Sequence, residues 1–157
     1  MDAVDRKILA ELQADGRQSL TDLAGRVSLS VSPCHRRVRE LERAGVITGY
    51  KATLNPVALG LTFEALVFVT MNQENRDTLL AFEDGLAAIP NVVSAERLFG
   101  DPDYLLRVLT VDLGAYQLLQ DEQLGRLPGV LRMTSTLVMK RVVADRPLPA
   151  VPTANPR

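Results

Sequence analysis

The chain has 157 residues, enough for one domain or two small ones, and its 46% hydrophobic and 24% charged residues are the composition of a globular protein. No apolar run reaches the roughly 20 residues needed to span a bilayer, and a single cysteine excludes an internal disulfide and any cysteine-rich zinc site. The net charge of −1 argues against indiscriminate coating of nucleic acid.

The start, MDAVDRK, is acidic and runs straight into a helical pattern, so it does not read as a signal peptide, and a cytoplasmic location is expected. Residues 3–12 are predicted helical, with Val4, Ile8, Leu9 and Leu12 facing inward. A second helix over 20–27 buries Leu20, Leu23, Ala24 and Val27. In a third, Val31, Cys34, Val38 and Leu41 recur at i, i+3, i+7 and i+10, one face of a helix. Ser30 is its expected N-cap, with a hydroxyl that can accept from a free backbone N–H. Pro33 falls in the first turn, where a missing N–H costs little, and Gly45 ends the helix. Opposite the apolar stripe lie Ser32, Arg36, Arg39 and Arg43, with His35 near the N-terminal end of that face.

Two short helices joined by a turn, the second apolar on one side and arginine-rich on the other, are what a helix-turn-helix needs to lie in a DNA major groove. Residues 1–51 hold nine Lys+Arg against seven Asp+Glu, net +2, whereas 52–157 hold nine against twelve, net −3. The positive charge gathers at Arg36, Arg37, Arg39, Arg43 and Lys51. A local basic face on a near-neutral protein suits selective binding of double-stranded DNA.

Beyond Gly45 the pattern changes. VITGYKATL, residues 46–54, is rich in β-branched residues and reads as a strand, and Asn55-Pro56 breaks it. From Thr62 onward the predicted order is βαββαβ. Strands are expected at 63–71, 92–99, 104–111 and 130–143, and helices at 74–88 and 112–127. The first of these helices has Leu79, Leu80, Phe82, Leu86 and Ile89 as core. The second is capped by Asp112, with Leu113, Tyr116, Leu119 and Leu124 inward. Gly100-Asp101-Pro102-Asp103 is a tight turn by composition. The fold class is therefore α+β. A winged-type helix-turn-helix domain over 1–50 precedes a hinge strand and linker over 51–61 and a ferredoxin-like domain over 62–143, with both helices on one sheet face. The tail over 144–157, with four prolines from Asp145 onward and no periodicity, is read as poorly ordered.

In the first strand of that domain Glu64, Leu66, Phe68 and Thr70 alternate with Phe63, Ala65, Val67, Val69 and Met71. Both sets hold large apolar residues, while the helices cover one face. A homodimer packed sheet to sheet follows, and it would set two DNA-reading helices symmetrically, as palindromic sites require.

Plainer readings stand beside these. A charged helix face is commonly a solvated one, and the Arg36-Glu40 and Arg39-Glu42 spacings allow intrahelix pairs. His35 has phosphate, a base edge or solvent open to it. Cys34 lies in the apolar stripe and reads as core rather than as a redox sensor. One histidine makes a histidine-based metal site within one subunit improbable, and no cofactor is expected.

VDRKILAELQADGR near the start, SPCHRRVRELERAGVITGY, LNP at 54–56, GDPDYLL at 100–106 and LPGV at 127–130, in this order, resemble the Lrp/AsnC (leucine-responsive, feast/famine) family of bacterial and archaeal regulators. The resemblance spans roughly residues 2–143. It implies DNA binding by the first domain through Ser32, Pro33, His35, Arg36, Arg37, Arg39 and Arg43. It also implies that the second domain forms dimers, assembles them into octamers or similar rings, and binds a small molecule, commonly an amino acid, between dimers. Position by position, the implied effector residues are Arg97, Leu98, Gly100, Asp103 and Tyr104, with Thr136, Leu137 and Val138 from the last strand. Asp103 could accept from an ammonium, and backbone N–H groups around Gly100 could hold a carboxylate. Asp103 and Asp101 also suit simple turn chemistry. Arg97 stands where leucine-responsive members are apolar, which points to a ligand with a polar or acidic side chain, or to none, rather than to leucine.

Three functions compete. One is a DNA-binding transcription regulator, cytoplasmic and nucleoid-associated, answering to an amino acid. Another is an architectural DNA-organising protein without an effector. The third is an enzyme on the ferredoxin-like domain. Nothing in the sequence supplies a nucleophile with a base, a metal cluster or a phosphate loop, so the enzyme is set aside.

Overall fold

The computed structural model describes residues 1–72, 75–144 and 146–149. The chain divides into two compact units, Met1–Thr53 with the described part of Val142–Arg157, and Leu54–Arg141.

In the first unit, helix α1 (Ala3–Ala14) starts on a reciprocal cap. The Asp2 carboxylate accepts from Asp5 N–H at 2.9 Å, and Asp5 accepts from Asp2 N–H at 2.8 Å. Helix α2 (Leu20–Arg26) is capped by Ser19 and closes with Ser28 N–H donating to the Gly25 carbonyl and Leu29 N–H to that of Ala24. That C-terminal motif needs a left-handed residue, and Ser28 supplies it at φ 59°. Helix α3 (Val31–Arg43) closes the same way, with Gly45 at φ 68° as its sequence position predicts.

Ile8, Leu23, Ala24, Val27, Cys34, Val38 and Leu41 form the core, with Val4, Leu9, Leu12, Leu29 and Ile47 packed against it. Leu20 and Val31, expected inside, are exposed. Each is the first residue of its helix and overhangs the core edge. Ser30 makes no side-chain cap bond. The third helical position, a usual donor to such a cap, is Pro33, which has no N–H.

The second unit runs β1 (Phe63–Met71), α4 (Arg76–Ala87), β2 (Val92–Arg97), β3 (Tyr104–Thr110), α5 (Leu113–Glu122) and β4 (Val130–Leu137). The strands form one antiparallel sheet in the order β2-β3-β1-β4. This is the βαββαβ arrangement read from the sequence. Ala65, Val67, Val69 and Met71 of β1 point to the face covered by Leu79, Phe82 and Leu86 of α4 and by Tyr116 and Leu119 of α5. Phe82 and Tyr104 pack with tilted rings at 4.8 Å between centroids, and Phe63 and Tyr116 do so at 5.2 Å.

Some expected bounds move. Residues 46–54 form no strand, because no neighbouring strand among the described residues pairs with their N–H and C=O groups. Strand β4 stops at Leu137 rather than 143, although Val138 N–H still reaches the Glu64 carbonyl at 3.1 Å. Helix α5 ends at Glu122, followed by a 3-10 turn at Leu124–Arg126. Leu80 and Leu113, expected as core, are exposed. The expected start of α4 at Glu74 and much of the proline-rich tail, Asp145 and 150–157, lie outside the described residues. Within the tail, Leu148 N–H donates to Gln13 Oε1 at 2.6 Å, and Gln13 Nε2 donates back to the Leu148 carbonyl at 3.2 Å.

Candidate functional site

Helix α3 sorts its side chains by angle. Cys34, Val38 and Leu41 are buried, and burial pushes the Cys34 thiol up, the setting of a core residue rather than a reactive thiolate. At 100° per residue, Ser32, Arg36, Arg39 and Arg43 fall opposite them, and all four are exposed. Arg36 pairs with Glu40 one turn on, at 3.0 Å, in the solvated i,i+4 geometry foreseen for it. Among the described residues, no carboxylate lies within ion-pair distance of Arg39 or Arg43. Two guanidinium groups thus stand free on the outward face. Pro33 and His35 lie half-buried on its two flanks.

Arg37, which the resemblance groups with the DNA-binding residues, lies off this face. It stands three residues after Cys34 and four before Leu41, on the side of the buried stripe. Its Nη1 donates to Asp2 Oδ2 and to Asp5 Oδ1, each at 2.7 Å. Those bonds raise the guanidinium pKa further. The backbone N–H of Asp5, and then Arg37, hold the Asp2 carboxyl below its ordinary value of 3.8. The same two carboxylates cap α1, so Arg37 ties the recognition helix to the start of the first helix. Its i+3/i+4 spacing from the stripe already sets Arg37 apart from Arg36 and Arg39 in the sequence.

In the second unit the expected effector residues fall into two groups. Arg97 ends β2 and pairs with Tyr104 of β3 on the helix-covered face of the sheet. Leu98 N–H donates to the Asp103 carbonyl at 2.7 Å, closing the turn, and Gly100 sits in it at φ 142°, a backbone state that side chains rarely adopt. Thr136 and Leu137 end β4, at the opposite edge, and Val138 follows directly after it. Three strand spacings of about 4.8 Å separate the edges, so one chain does not bring the two groups together.

Asp103 is engaged inside the chain. Its Oδ2 accepts from Met71 N–H at 2.7 Å and its own N–H donates to the Val69 carbonyl at 2.9 Å. Thr70 Oγ1 donates to Asp101 at 3.3 Å. These bonds fix the turn to the end of β1, the plainer role weighed for both aspartates. The buried Tyr104 points toward α4, where its hydroxyl donates to Glu83 Oε1 at 2.8 Å. Burial first, and then this carboxylate, push its pKa up to about 12. Arg97 Nη1 approaches the same Oε1 at 3.8 Å. Between α4 and β2 these groups border a cleft of about 410 Å³, with Leu86, Val92 and Ala95 among its lining. Glu83 was missed in the sequence because it reads as one more solvated acid on an amphipathic helix.

On the other sheet face, Glu64 lies between Arg107 of β3 and Arg141, the latter at 3.1 Å. Among the described residues, no group of three or more His, Cys, Asp or Glu could hold a metal ion. No described helix is long and apolar enough to cross a membrane.

Comparison with known proteins agrees across both units. The winged helix-turn-helix DNA-binding family matches residues 1–48, and the Lrp/AsnC ligand binding domain matches residues 64–148. The leucine-responsive regulatory proteins of Klebsiella pneumoniae and of Escherichia coli K12 are each 42% identical to the chain over 142 residues, 90% of this chain and 87% of theirs. A transcriptional regulator from Neisseria meningitidis, solved as its L-Met complex, superposes with a TM-score of 0.90 at 34% identity, covering 95% of this chain and 96% of that one. The leucine response regulatory protein of Mycobacterium tuberculosis superposes at 0.75 with 35% identity, covering 93% and 97%. The chain belongs to the Lrp/AsnC family of DNA-binding transcriptional regulators, in which a helix-turn-helix domain is joined to a ligand-binding domain.

Proposed function

We propose that this regulator reads duplex DNA through the outward face of α3, as a homo-oligomer whose DNA binding or assembly answers to an amino acid held by the C-terminal domain. The observation that carries the DNA reading is the pair of free guanidinium groups, Arg39 and Arg43, opposite a fully packed stripe. An arginine in the major groove can hold guanine by two hydrogen bonds, or a phosphate by charge. Ser32, Pro33, His35 and Arg36 would border that contact, while Arg37 would hold the helix in place from behind.

Two observations support the oligomer. Leu66, Phe68 and Leu105 lie on the uncovered face of the sheet. A second copy packed there would remove them from water at about 25 cal/mol per Å² of apolar surface. The Arg97–Tyr104 group and the Thr136–Val138 group also lie at opposite edges, so a site using both needs another subunit. Higher assembly, an octamer or a similar ring, would follow from contacts between such dimers. For the effector, the neighbouring L-Met complex makes an amino acid the leading class. The 98–104 turn, fixed by Asp103, would then shape the site.

Selection from random duplex DNA tests the reading. The full chain should enrich a two-part sequence with half-sites about one helical turn, or a multiple of it, apart. Failure to enrich any sequence would leave the architectural alternative. A melting screen with the twenty amino acids tests the effector, because a ligand of the folded state raises the melting temperature by mass action.

A further inference from the structure

Resting on the proposed reading of DNA by a homo-oligomer, we infer that the C-terminal tail is a strap. Its Pro147-Leu148-Pro149 segment docks on the end of α1 through Gln13, and the closed strap limits how far the first unit moves on its linker. The α1 site thus takes a segment of this same chain and recognises it by backbone rather than by side chain.

Three observations carry this. First, the contact is two-sided. Leu148 N–H donates to Gln13 Oε1 at 2.6 Å, and Gln13 Nε2 donates to the Leu148 carbonyl at 3.2 Å. One side-chain amide does here what the edge of a strand does for its neighbour, serving both the donor and the acceptor of a single residue. Second, the sequence around Leu148 is suited to that amide. Pro147 and Pro149 have no N–H, so Leu148 carries the only backbone donor of the triplet. A proline after Arg146 and another after Leu148 hold both residues in extended or polyproline conformations before the contact forms. That lowers the ordering cost that a flexible tail would set against two hydrogen bonds. The Leu148 side chain is 77% exposed and adds little to the seating.

Third, connectivity places the strap where it can act. Gln13 and Leu148 both belong to the first unit, but the chain between them passes into the second unit at Thr53–Leu54 and returns at Arg141–Val142. Leu148 stands seven positions after Arg141, a reach of about 25 Å when fully extended. With Leu148 seated, the first unit is held to the second at two points, one covalent and one reversible. With it released, only the 53–54 connection restrains the unit. Because tail and α1 share a chain, the site meets the tail at an effective concentration far above that of a free peptide. The two hydrogen bonds are neutral and exposed, so the strap opens and closes rather than locking. A two-part operator demands a set separation of two recognition helices. A strap that narrows the range of each first unit therefore sharpens the choice of half-site spacing without touching DNA.

The test takes the contact first. The chain has no tryptophan, so Leu148→Trp, which keeps both backbone groups, gives the tail a fluorophore of its own. Its emission anisotropy in the full chain should exceed that of the same variant carrying Gln13→Ala. Equal anisotropy in the two would overturn the strap, whatever happens on DNA. The second arm compares affinity for the selected duplex with affinity for the same duplex lengthened between its half-sites by about half a helical turn, ~5 base pairs. Wild type and Leu148→Ala should prefer the original spacing to the same degree. Leu148→Pro, which deletes the N–H, should narrow that preference about two- to tenfold, the worth of one neutral hydrogen bond. Gln13→Ala should narrow it at least as far. Melting of each variant checks that it folds. An unchanged preference in Leu148→Pro and Gln13→Ala would overturn the spacing role. Failure of wild type to select any duplex would overturn the proposed function and the spacing role with it, while the anisotropy separately decides whether the tail docks.

Discussion

The first unit closes its apolar surface within one chain: Ile8, Leu23, Cys34 and Val38 meet from three helices, and apart from Val31 at its start what remains outside on α3 is polar. The sheet of the second unit is finished on one side only. Phe82, Tyr104 and Tyr116 fill the space beneath α4 and α5, while Leu66, Phe68 and Leu105 lie on the face that neither α4 nor α5 covers. The contrast assigns work. A domain that satisfies its own core can meet DNA through a face free for polar contact. A sheet with one bare apolar side offers the surface that the proposed second copy would cover.

The sharpest way to break this contrast is Phe68→Asp. The substitution lies outside the core under the helices. In a sheet-to-sheet oligomer it would bury an unpaired carboxylate, so the protein should sediment as a monomer that still melts cooperatively. Unchanged assembly would show that this face is not the interface. The next effect is confined to the first unit. Ile8→Ala leaves a cavity in a fully buried site and should cost that unit about 2–5 kcal/mol in denaturant unfolding. The unfolding transition of the second unit should stay in place if the two cores are independent.

The same contrast explains what the sequence revealed. The helix-turn-helix was legible because its signals are local: a four-residue apolar stripe, a glycine at the end of α3 and arginines at helical spacing. The βαββαβ order was legible from alternation and turn residues. Ends were not. Residues 46–54 have the composition of a strand, but pairing depends on a neighbour that composition does not reveal. Ser30 looked like a hydroxyl cap until Pro33 is seen to remove the donor. Among the site residues, the angle of Arg37 off the arginine face is legible in the sequence, but its pairing with Asp2 and Asp5 across to α1 is not. Asp103 carries both a turn and a ligand reading in the sequence, and its bond to Met71 N–H, which spans two strands, has no trace in local sequence. Glu83 acquires meaning only when α4 settles against Tyr104 and Arg97.

Smaller effects sharpen the division further. Because the folded pKa of Asp2 is depressed, its contribution is present above about pH 3.8 and is lost as pH falls through the still lower folded value. Melting of the first unit should therefore drop in strong acid, and Asp2→Asn should flatten that drop. Tyr104 has the opposite sign. Its hydroxyl favours folding below its unfolded pKa near 10, and that contribution is lost as pH rises from there toward about 12. Alkaline melting should thus weaken the second unit over that window, less so in Tyr104→Phe. Smallest of all, Ser28→Gly should stabilise the first unit by at most about 1 kcal/mol, because glycine adopts the left-handed conformation at φ 59° without steric cost.

The central claim is that the outward face of α3, and not its paired flank, reads DNA. It is tested most directly by titrating one selected duplex with wild type, Arg39→Ala and Arg37→Ala across a range of salt. Arg39→Ala should lose ~1–3 kcal/mol of affinity with an unchanged melting temperature if it reads a base. If it meets only phosphate, its salt slope should shrink by about one. Arg37→Ala should instead lower the melting temperature of the first unit while its folded fraction keeps the wild-type slope. Full affinity and slope in Arg39→Ala, with the loss falling on Arg37→Ala, would contradict the account.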